Sequence, residues 1–256
     1  MERLRVDRTY DIAGAERRVL EQAEAELDWQ PSLPARSIRV TEVAGTVALT
    51  GTVRSYLSKW EAERAIEHVR GVRAIVNEIV VAPSHTPSNE DLAASARRRL
   101  AAAPRVPQSG ITISTQDGWL VLEGQVDWDY QRRAAADAVR SLPGLRGLTN
   151  ALTIRTRRGH RKWGEPGLRR QLAAALARDA RLDSSRIEVA FEGGHVVLCG
   201  SVASITEKRE AELRAWSAPG IWSVDNLLTV EPDENHGHAS AATTAPQVAD
   251  GRRRPA

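Results

Sequence analysis

The sequence predicts an α+β protein built from three tandem units, each with the order helix–strand–strand–helix–strand. Each unit is expected to form a three-stranded mixed sheet with two helices on one face. Two observations predict this fold. A set of glycine and asparagine landmarks recurs three times, and between these landmarks the apolar residues follow first the period of a helix and then the period of a strand.

The landmarks lie at constant offsets from a glycine in an apolar-x-Gly-x-Val string. This anchor is Gly51, Gly124 or Gly200, and the anchors are 73 and 76 residues apart. One glycine lies six residues before each anchor, another lies twenty after it, and an asparagine lies twenty-six after it. In chain order they are Gly45, Gly71 and Asn77, then Gly118, Gly144 and Asn150, then Gly194, Gly220 and Asn226. Such agreement is not expected by chance and indicates a true internal repeat.

The first element of each repeat is predicted to be an amphipathic helix, because apolar residues recur at i, i+4 and i+8. This stripe consists of Val19, Ala23 and Leu27, then Leu92, Ala96 and Leu100, then Leu168, Leu172 and Leu176. In repeat 2, Ser88 stands before the acidic residues Glu90 and Asp91, a pattern typical of a capped helix start.

A β-hairpin is predicted next, because apolar and polar residues alternate on both sides of a glycine-containing pair. The alternating segments of repeat 1 begin at Ile38 and Val47, and Ala44-Gly45 separates them. The corresponding pairs in the other repeats are Asp117-Gly118 and Gly193-Gly194. Glycine in these pairs supplies the positive φ that a tight turn requires.

A second helix and a last strand complete each repeat. The helix is expected to begin near Ser55, Trp128 and Ser204, and Gly71, Gly144 and Gly220 are expected to end it as left-handed caps. A strand–helix–strand connection is right-handed and makes the two outer strands of the connection parallel. Since each sheet has one apolar face, both helices are expected to cover the same side. The other side is open to water or to a neighbour.

The predicted domains are 14–82, 88–156 and 166–232, with a disordered tail over 233–256 that is rich in Ala, Thr, Pro and Gly. A domain of about 70 residues is marginally stable alone. Because the two linkers are short, we expect the repeats to contact one another.

The landmarks together resemble the BON domain. The resemblance rests on Gly-x-apolar-x-Leu-x-Gly-x-Val, then a helix, then Gly followed by an apolar residue, then Asn-x-apolar-x-apolar, and it holds in all three repeats. The stretches 56–60 and 126–132 are also similar to triple-domain bacterial proteins named after osmotically inducible protein Y. The resemblance implies an α+β fold without catalytic residues, a role in binding phospholipid surfaces or other envelope partners, and a link to osmotic or envelope stress.

Composition excludes several functional classes. The chain has 256 residues, 36 basic and 33 acidic, and a net charge of +3, which is too weak to indicate nucleic-acid binding. A single Cys excludes a disulfide framework and a multi-cysteine metal site. The chain shows neither a run of 18 apolar residues nor a secretory signal. We therefore expect no transmembrane segment and a cytoplasmic location, peripheral to a membrane if the chain binds lipid.

No constellation of chemistry-bearing residues recurs across the repeats, so the sequence predicts a non-enzyme without a cofactor or metal. The pair His236 and His238 lies in the tail, and Cys199 lies on a strand with no cation placed near it by sequence. The landmark glycines are interpreted as turns and caps. The three asparagines are expected to bind backbone groups at the start of the last strand.

Basic and aromatic residues suggest a binding surface centred on repeat 2. Seven tryptophans occur, most of them at the ends of elements, where they suit either packing between repeats or an external partner. The linker after repeat 2 is a compact basic-aromatic string with a net charge of +3 over 157–165. The candidate surface residues are Arg97, Arg98, Trp119, Trp128, Arg157, Arg158, Arg161, Lys162 and Trp163.

The leading functional hypothesis is a non-catalytic, stress-related adaptor that binds an anionic phospholipid surface or a protein partner. The alternative is a cytoplasmic sensor of a small ligand or of an ion such as potassium. Nucleic-acid binding is not expected, because the repeats are close to neutral.

Overall fold

The computed structural model describes residues 3–155, 165–178, 182 and 184–231. Its elements follow the predicted order three times, which confirms three α+β repeats. Repeat 1 contains α1 (Arg3–Trp29), β1 (Ile38–Val43), β2 (Thr46–Val53), α2 (Tyr56–Ile66), β3 (Ala74–Asn77) and β4 (Val80–Val81). Repeat 2 contains α3 (Asn89–Ala102), β5 (Ile111–Gln116), β6 (Trp119–Val126), α4 (Asp129–Arg140) and β7 (Gly147–Ile154). Repeat 3 contains α5 (Glu165–Ala177), β8 (Ile187–Glu192), β9 (His195–Val202), α6 (Ile205–Ser217), β10 (Ser223–Asn226) and β11 (Thr229–Val230).

The second strand is the central strand of every sheet. It pairs antiparallel with the first strand and parallel with the last, as the predicted connection requires. The anchor glycine lies opposite the first residue of the hairpin in each repeat, for example Gly51 opposite Ile38. Two-residue turns join the hairpin strands, and both turn residues have positive φ in each repeat. This is the backbone of a type I′ turn, which matches the twist of the strands.

The last strand differs between the repeats. In repeat 2 it is continuous and pairs with β6 along its whole length. In repeats 1 and 3 it is interrupted after the asparagine and forms two short strands, so these sheets have four strands where the sequence predicted three. At the interruption, Lys59 Nζ donates a hydrogen bond to the Ile79 carbonyl at 2.8 Å, and Lys208 Nζ donates to the Leu228 carbonyl at 2.6 Å. Repeat 2 has Arg132 at this position, and its guanidinium group binds elsewhere.

Each repeat has its own hydrophobic core between the sheet and its two helices. The described members of the predicted helix stripe are all buried, and the inner faces of the central strands are almost fully buried, as at Leu49, Leu122 and Leu198. Both helices therefore cover the same side of the sheet. Leu168, which was also predicted to be in the stripe, has a side chain outside the described part.

The helix starts agree with the sequence. Ser55, Ser88 and Ser204 are N-caps, and each hydroxyl accepts a hydrogen bond from the backbone N–H three residues later. Trp128 occupies the equivalent N-cap of α4 and has no side-chain acceptor. The Gln131 side chain compensates, because its Oε1 accepts from the N–H groups of Asp127 and Trp128 at 2.9 and 3.1 Å.

The predicted helix ends are wrong in position. Gly71, Gly144 and Gly220 do have positive φ, but they lie three to five residues beyond α2, α4 and α6. The intervening residues form tighter turns, such as Val69 N–H to the Ile66 carbonyl and Leu142 N–H to the Val139 carbonyl. These turns bury Val69 and Leu142 in the core, so the apolar pattern continues past the end of the helix and conceals it.

Candidate functional site

The second helices of the three repeats meet head to tail and close a ring. The contacts use one pair of equivalent positions. The first position holds Trp60, Arg133 and Arg209 in repeats 1, 2 and 3, and the second holds Glu67, Arg140 and Trp216. The first position of one repeat, or the residue beside it, contacts the second position of the next repeat around the ring. Two of the three interfaces place a guanidinium group on an indole ring, and the third is an ion pair.

Between repeats 1 and 2 the contact is a cation–π interaction. The Arg140 guanidinium lies 3.7 Å from the centroid of the Trp60 ring, and Arg64 on the same helix as Trp60 lies 5.4 Å from it. Tyr56 packs against the core of repeat 2. Burial raises the pKa of Tyr56. The positive charge of Arg140 partly offsets this rise, and the negative charge of Glu63 adds to it. The start of α2 is thus held against the end of α4.

Between repeats 3 and 1 the contact is an ion pair with a hydrogen bond beside it. Arg209 Nη1 lies 2.8 Å and 3.2 Å from the two carboxylate oxygens of Glu67, and Thr206 Oγ1 donates to the Glu67 carbonyl at 2.8 Å. Burial raises the pKa of Glu67. Arg64 and His68 lower this pKa, and the negative charge of Glu63 raises it further. Ile205 packs against the core of repeat 1. These groups are about 140 residues apart in sequence, so this interface closes the ring.

Between repeats 2 and 3 the contact is again a cation and an indole. The Arg132 guanidinium lies 4.5 Å from the centroid of the Trp216 ring, and Trp216 packs against the cores of both repeats. Arg132 is oriented by Asp129, which is buried and also binds Arg133 at 2.7 Å. A buried carboxylate requires such pairing, because an isolated charge is costly to remove from water.

The anchor glycines are required by a close approach of the backbone. Gly51, Gly124 and Gly200 have φ between +113° and +128°, and a Cβ atom on each would lie 2.1 Å from a backbone carbonyl oxygen just before the first strand. These oxygens belong to Ser37, Gly110 and Arg186. The structural interpretation of these glycines is consistent with this geometry.

The landmark asparagines join the second helix to the last strand. Asn77 Nδ2 donates to the Lys59 carbonyl, Asn150 Nδ2 to the Arg132 carbonyl and Asn226 Nδ2 to the Lys208 carbonyl, at 2.8 to 3.1 Å. The Oδ1 of each accepts from the N–H two residues later. The three asparagines therefore have equivalent backbone partners, and Asn77 and Asn226 also donate to the side chains of Glu63 and Glu212, where repeat 2 has Ala136.

The end of repeat 2 from which the linker leaves carries aromatic and basic side chains. We call it the linker-end surface and define it by Trp128, Tyr130, Arg133 and Arg155. Trp128 is 40% exposed and Tyr130 is 47% exposed. Arg155 donates its N–H to the Val126 carbonyl at 2.8 Å, which places it at the same end of the sheet, and its guanidinium lies 3.7 Å from Asp127.

A model of the BON domain matches residues 16–83, 88–156 and 165–232. The chain belongs to the BON domain family. A comparison with curated proteins found no match. Solved structures that the chain resembles include CdsD, a structural protein of the type III secretion system of Chlamydia trachomatis. The two sequences are 20% identical, the match covers 84% of this chain and 93% of that chain, and the TM-score is 0.24. The C-terminal domain of the same protein is 19% identical, with 84% and 98% covered and a TM-score of 0.24.

The structure separates the predicted surface residues of the second BON domain. Trp119 is the first residue of β6, and Trp128 follows its end, so about 25 Å of strand lies between them. Arg97 and Arg98 are exposed on α3. They lie toward the Trp128 end, because α3 begins beside the hairpin, where the Asn89 carbonyl accepts from Thr115 Oγ1. Arg157, Arg158, Arg161, Lys162 and Trp163 lie outside the described residues, as does the predicted tail.

The sequence left two interpretations of the tryptophans open, packing between repeats and contact with an external partner. The structure divides them into a packed group and an exposed group. Trp60 and Trp216 pack between BON domains, whereas Trp29, Trp119, Trp128 and Trp222 are at least 40% exposed. The ring contacts were not found from the sequence. Their positions are equivalent or adjacent, but their residue types differ, so a search for recurring residues does not find them.

Over the described part of the chain, no three His, Cys, Asp or Glu side chains are grouped as metal ligands. Among the helices described, none combines the length and the hydropathy that a membrane-spanning segment requires.

Proposed function

We propose that this protein is a non-catalytic adaptor that docks onto an anionic phospholipid surface through the linker-end surface of its second BON domain. The observation that carries the proposal is the grouping of exposed Trp128 and Tyr130 with Arg155 at the point where a basic linker begins. Three BON domains support a binding role over a catalytic one.

The chemistry of this surface suits a lipid headgroup zone. Tryptophan and tyrosine are enriched at membrane interfaces, because each combines an apolar ring with a polar group. The negative charges of Asp127 and Asp129 are balanced by the guanidinium groups of Arg132, Arg133 and Arg155. The sequence that follows adds Arg157, Arg158, Arg161 and Lys162. Each basic side chain near an anionic membrane contributes about 1 kcal/mol.

The ring supports the adaptor part of the proposal. Because side chains of α2, α4 and α6 contact one another, we expect a surface on one domain to keep its position relative to the other two. The proposal includes a link to osmotic stress and a closer likeness to osmotically inducible proteins. Its other form has a protein as the partner in place of lipid. The cytoplasmic location stays a prediction.

Vesicle flotation tests the lipid form. We expect the full chain to float with phosphatidylcholine vesicles that contain phosphatidylglycerol and to stay at the bottom with phosphatidylcholine alone. The triple variant Arg157→Ala, Arg158→Ala and Arg161→Ala should reduce recovery at least tenfold, because it removes about 3 kcal/mol of attraction. Trp128→Ala should also reduce recovery.

The matched control is Trp119→Ala, which removes the same side chain at the opposite end of β6 and should leave recovery unchanged. Equal recovery with both kinds of vesicle, or equal recovery of the Trp128→Ala and Trp119→Ala variants, would contradict the proposal.

A further inference from the structure

The hairpin end of repeat 2 carries an exposed indole that the lipid surface does not use. Trp119 is 50% exposed, and its ring lies flat on the backbone of Gly147, the residue opposite it in β7. A Cβ atom on Gly147 would be only 2.3 to 2.6 Å from three carbons of the indole. The indole can therefore lie against the backbone at this position only because Gly147 has no side chain.

The orientation of this indole is fixed at its nitrogen. Trp119 Nε1 donates to Thr149 Oγ1 at 2.9 Å, so the ring is held by Gly147 beneath and by Thr149 at its edge. One aromatic face is thus directed outward, and its only polar group is already bonded. Fixing a binding group in advance lowers the entropy cost of binding.

The groups around the ring are polar and close to neutral in sum. Gln116 lies directly opposite Trp119 in β5, and Asp117 and Arg146 flank the turn. On the outer face of the sheet the residues next to the ring are Ser114, Val121 and Thr149, and Thr112, Glu123 and Ala151 follow farther along the strands. This face has several hydrogen-bonding groups and a single charge, that of Glu123.

Repeat 3 also has an indole beside its hairpin turn, but in a different arrangement. Its indole is Trp222, which is equivalent to Arg146 and not to Trp119. Trp222 Nε1 donates to the Gly193 carbonyl at 3.0 Å, and the ring lies against Gly194. Beside it, His195 Nε2 lies 3.0 Å from Asp225 Oδ2. In repeat 1 the equivalent positions hold Thr46 and Arg73, without an aromatic ring.

We infer that the Trp119 platform, formed by Trp119, Gln116, Asp117, Thr149 and Arg146, binds an uncharged oligosaccharide. A pyranose ring presents a face of C–H groups, which stacks on a flat indole, and a rim of hydroxyls, which bind amide, carboxylate and guanidinium groups.

Other ligands fit less well. An anionic ligand meets one cation, Arg146, beside Asp117, and the nearby outer face carries Glu123. A proline-rich peptide binds in a groove lined by several aromatic rings, whereas this platform is one flat ring on a strand. The inference is independent of the lipid proposal, because the two surfaces lie at opposite ends of β6.

Ligand-observed NMR with cellohexaose, laminarihexaose, maltohexaose and chitohexaose tests the platform on the full chain. We expect at least one of these hexasaccharides to bind. Trp119→Ala should weaken that binding at least tenfold, and Trp119→Phe should weaken it less, because a smaller aromatic face remains. Gly147→Ala should also weaken it, because the added methyl group displaces the indole.

Trp128→Ala is the control and should change the affinity by less than twofold, and thermal unfolding of each variant checks that it folds. The inference is overturned if none of the four sugars binds, if Trp119→Ala binds as tightly as the parent chain, or if a decaproline peptide competes at equal concentration.

Discussion

Replacement of Gly124 by alanine is expected to lower the free energy of unfolding of repeat 2 by about 3 kcal/mol or more. The backbone at Gly124 has φ +121°, a region that side chains disfavour, and the new Cβ would lie 2.1 Å from the Gly110 carbonyl oxygen. That oxygen is fixed, because it accepts the Gln125 N–H at 3.1 Å. Relief of the clash must therefore separate β5 from β6.

Urea denaturation of the full chain, followed by circular dichroism, measures this loss. The matched control is Gly193→Ala, where φ is +59° and no atom lies within 4 Å of the new Cβ. In the control variant, alanine at a positive φ lowers stability by about 1 kcal/mol, and no clash adds to this loss. If the two variants lose equal stability, the close approach is not what requires glycine at the anchor.

Replacement of Trp216 by alanine is expected to cost about 2 kcal/mol and to uncouple repeat 3 from repeat 2. The indole packs against two cores and stacks on Arg132, so its removal leaves a cavity between domains and exposes the Arg132–Asp129 pair. A fully buried Trp→Ala change costs about 3–5 kcal/mol, and Trp216 is only partly buried.

Differential scanning calorimetry should then resolve a separate transition of lower melting temperature for repeat 3. Trp29→Ala is the control, because Trp29 is 82% exposed and its loss should change stability by less than about 0.5 kcal/mol. A single unshifted transition in the Trp216→Ala variant would show that the domains do not depend on this contact.

The sequence predicted the fold in detail where short-range chemistry determines it. The alternation of apolar residues and the turn pairs led to the hairpins, and the serines before α2, α3 and α6 marked the helix starts. The helix ends were placed too late, because Val69 and Leu142 continue the apolar pattern through turns that are no longer helical. The split of the last strand in repeats 1 and 3 depends on a lysine that reaches across from the second helix, which no pattern within the strand reveals.

The binding surface was predicted only in part. Sequence spacing grouped Trp119 with Trp128, although a strand of eight residues separates them and places them at opposite ends of the sheet. The ring could not be predicted, because Trp60–Arg140, Arg209–Glu67 and Arg132–Trp216 use equivalent or adjacent positions but different residue types. Contacts between repeats depend on how whole domains are oriented, and this orientation leaves no periodic signal in the sequence.

Closure of the ring is the central claim, and a double-mutant cycle on Glu67 and Arg209 tests it most directly. Removal of Arg209 leaves the largely buried Glu67 carboxylate with one fewer partner, so the two alanine substitutions should not be additive. We expect a favourable coupling of about 0.5–1 kcal/mol in urea denaturation, since Arg209 is partly exposed to solvent. The same cycle with Arg214, which pairs with Glu210 on its own helix, should give none. A coupling of zero between Glu67 and Arg209 would contradict a closed ring.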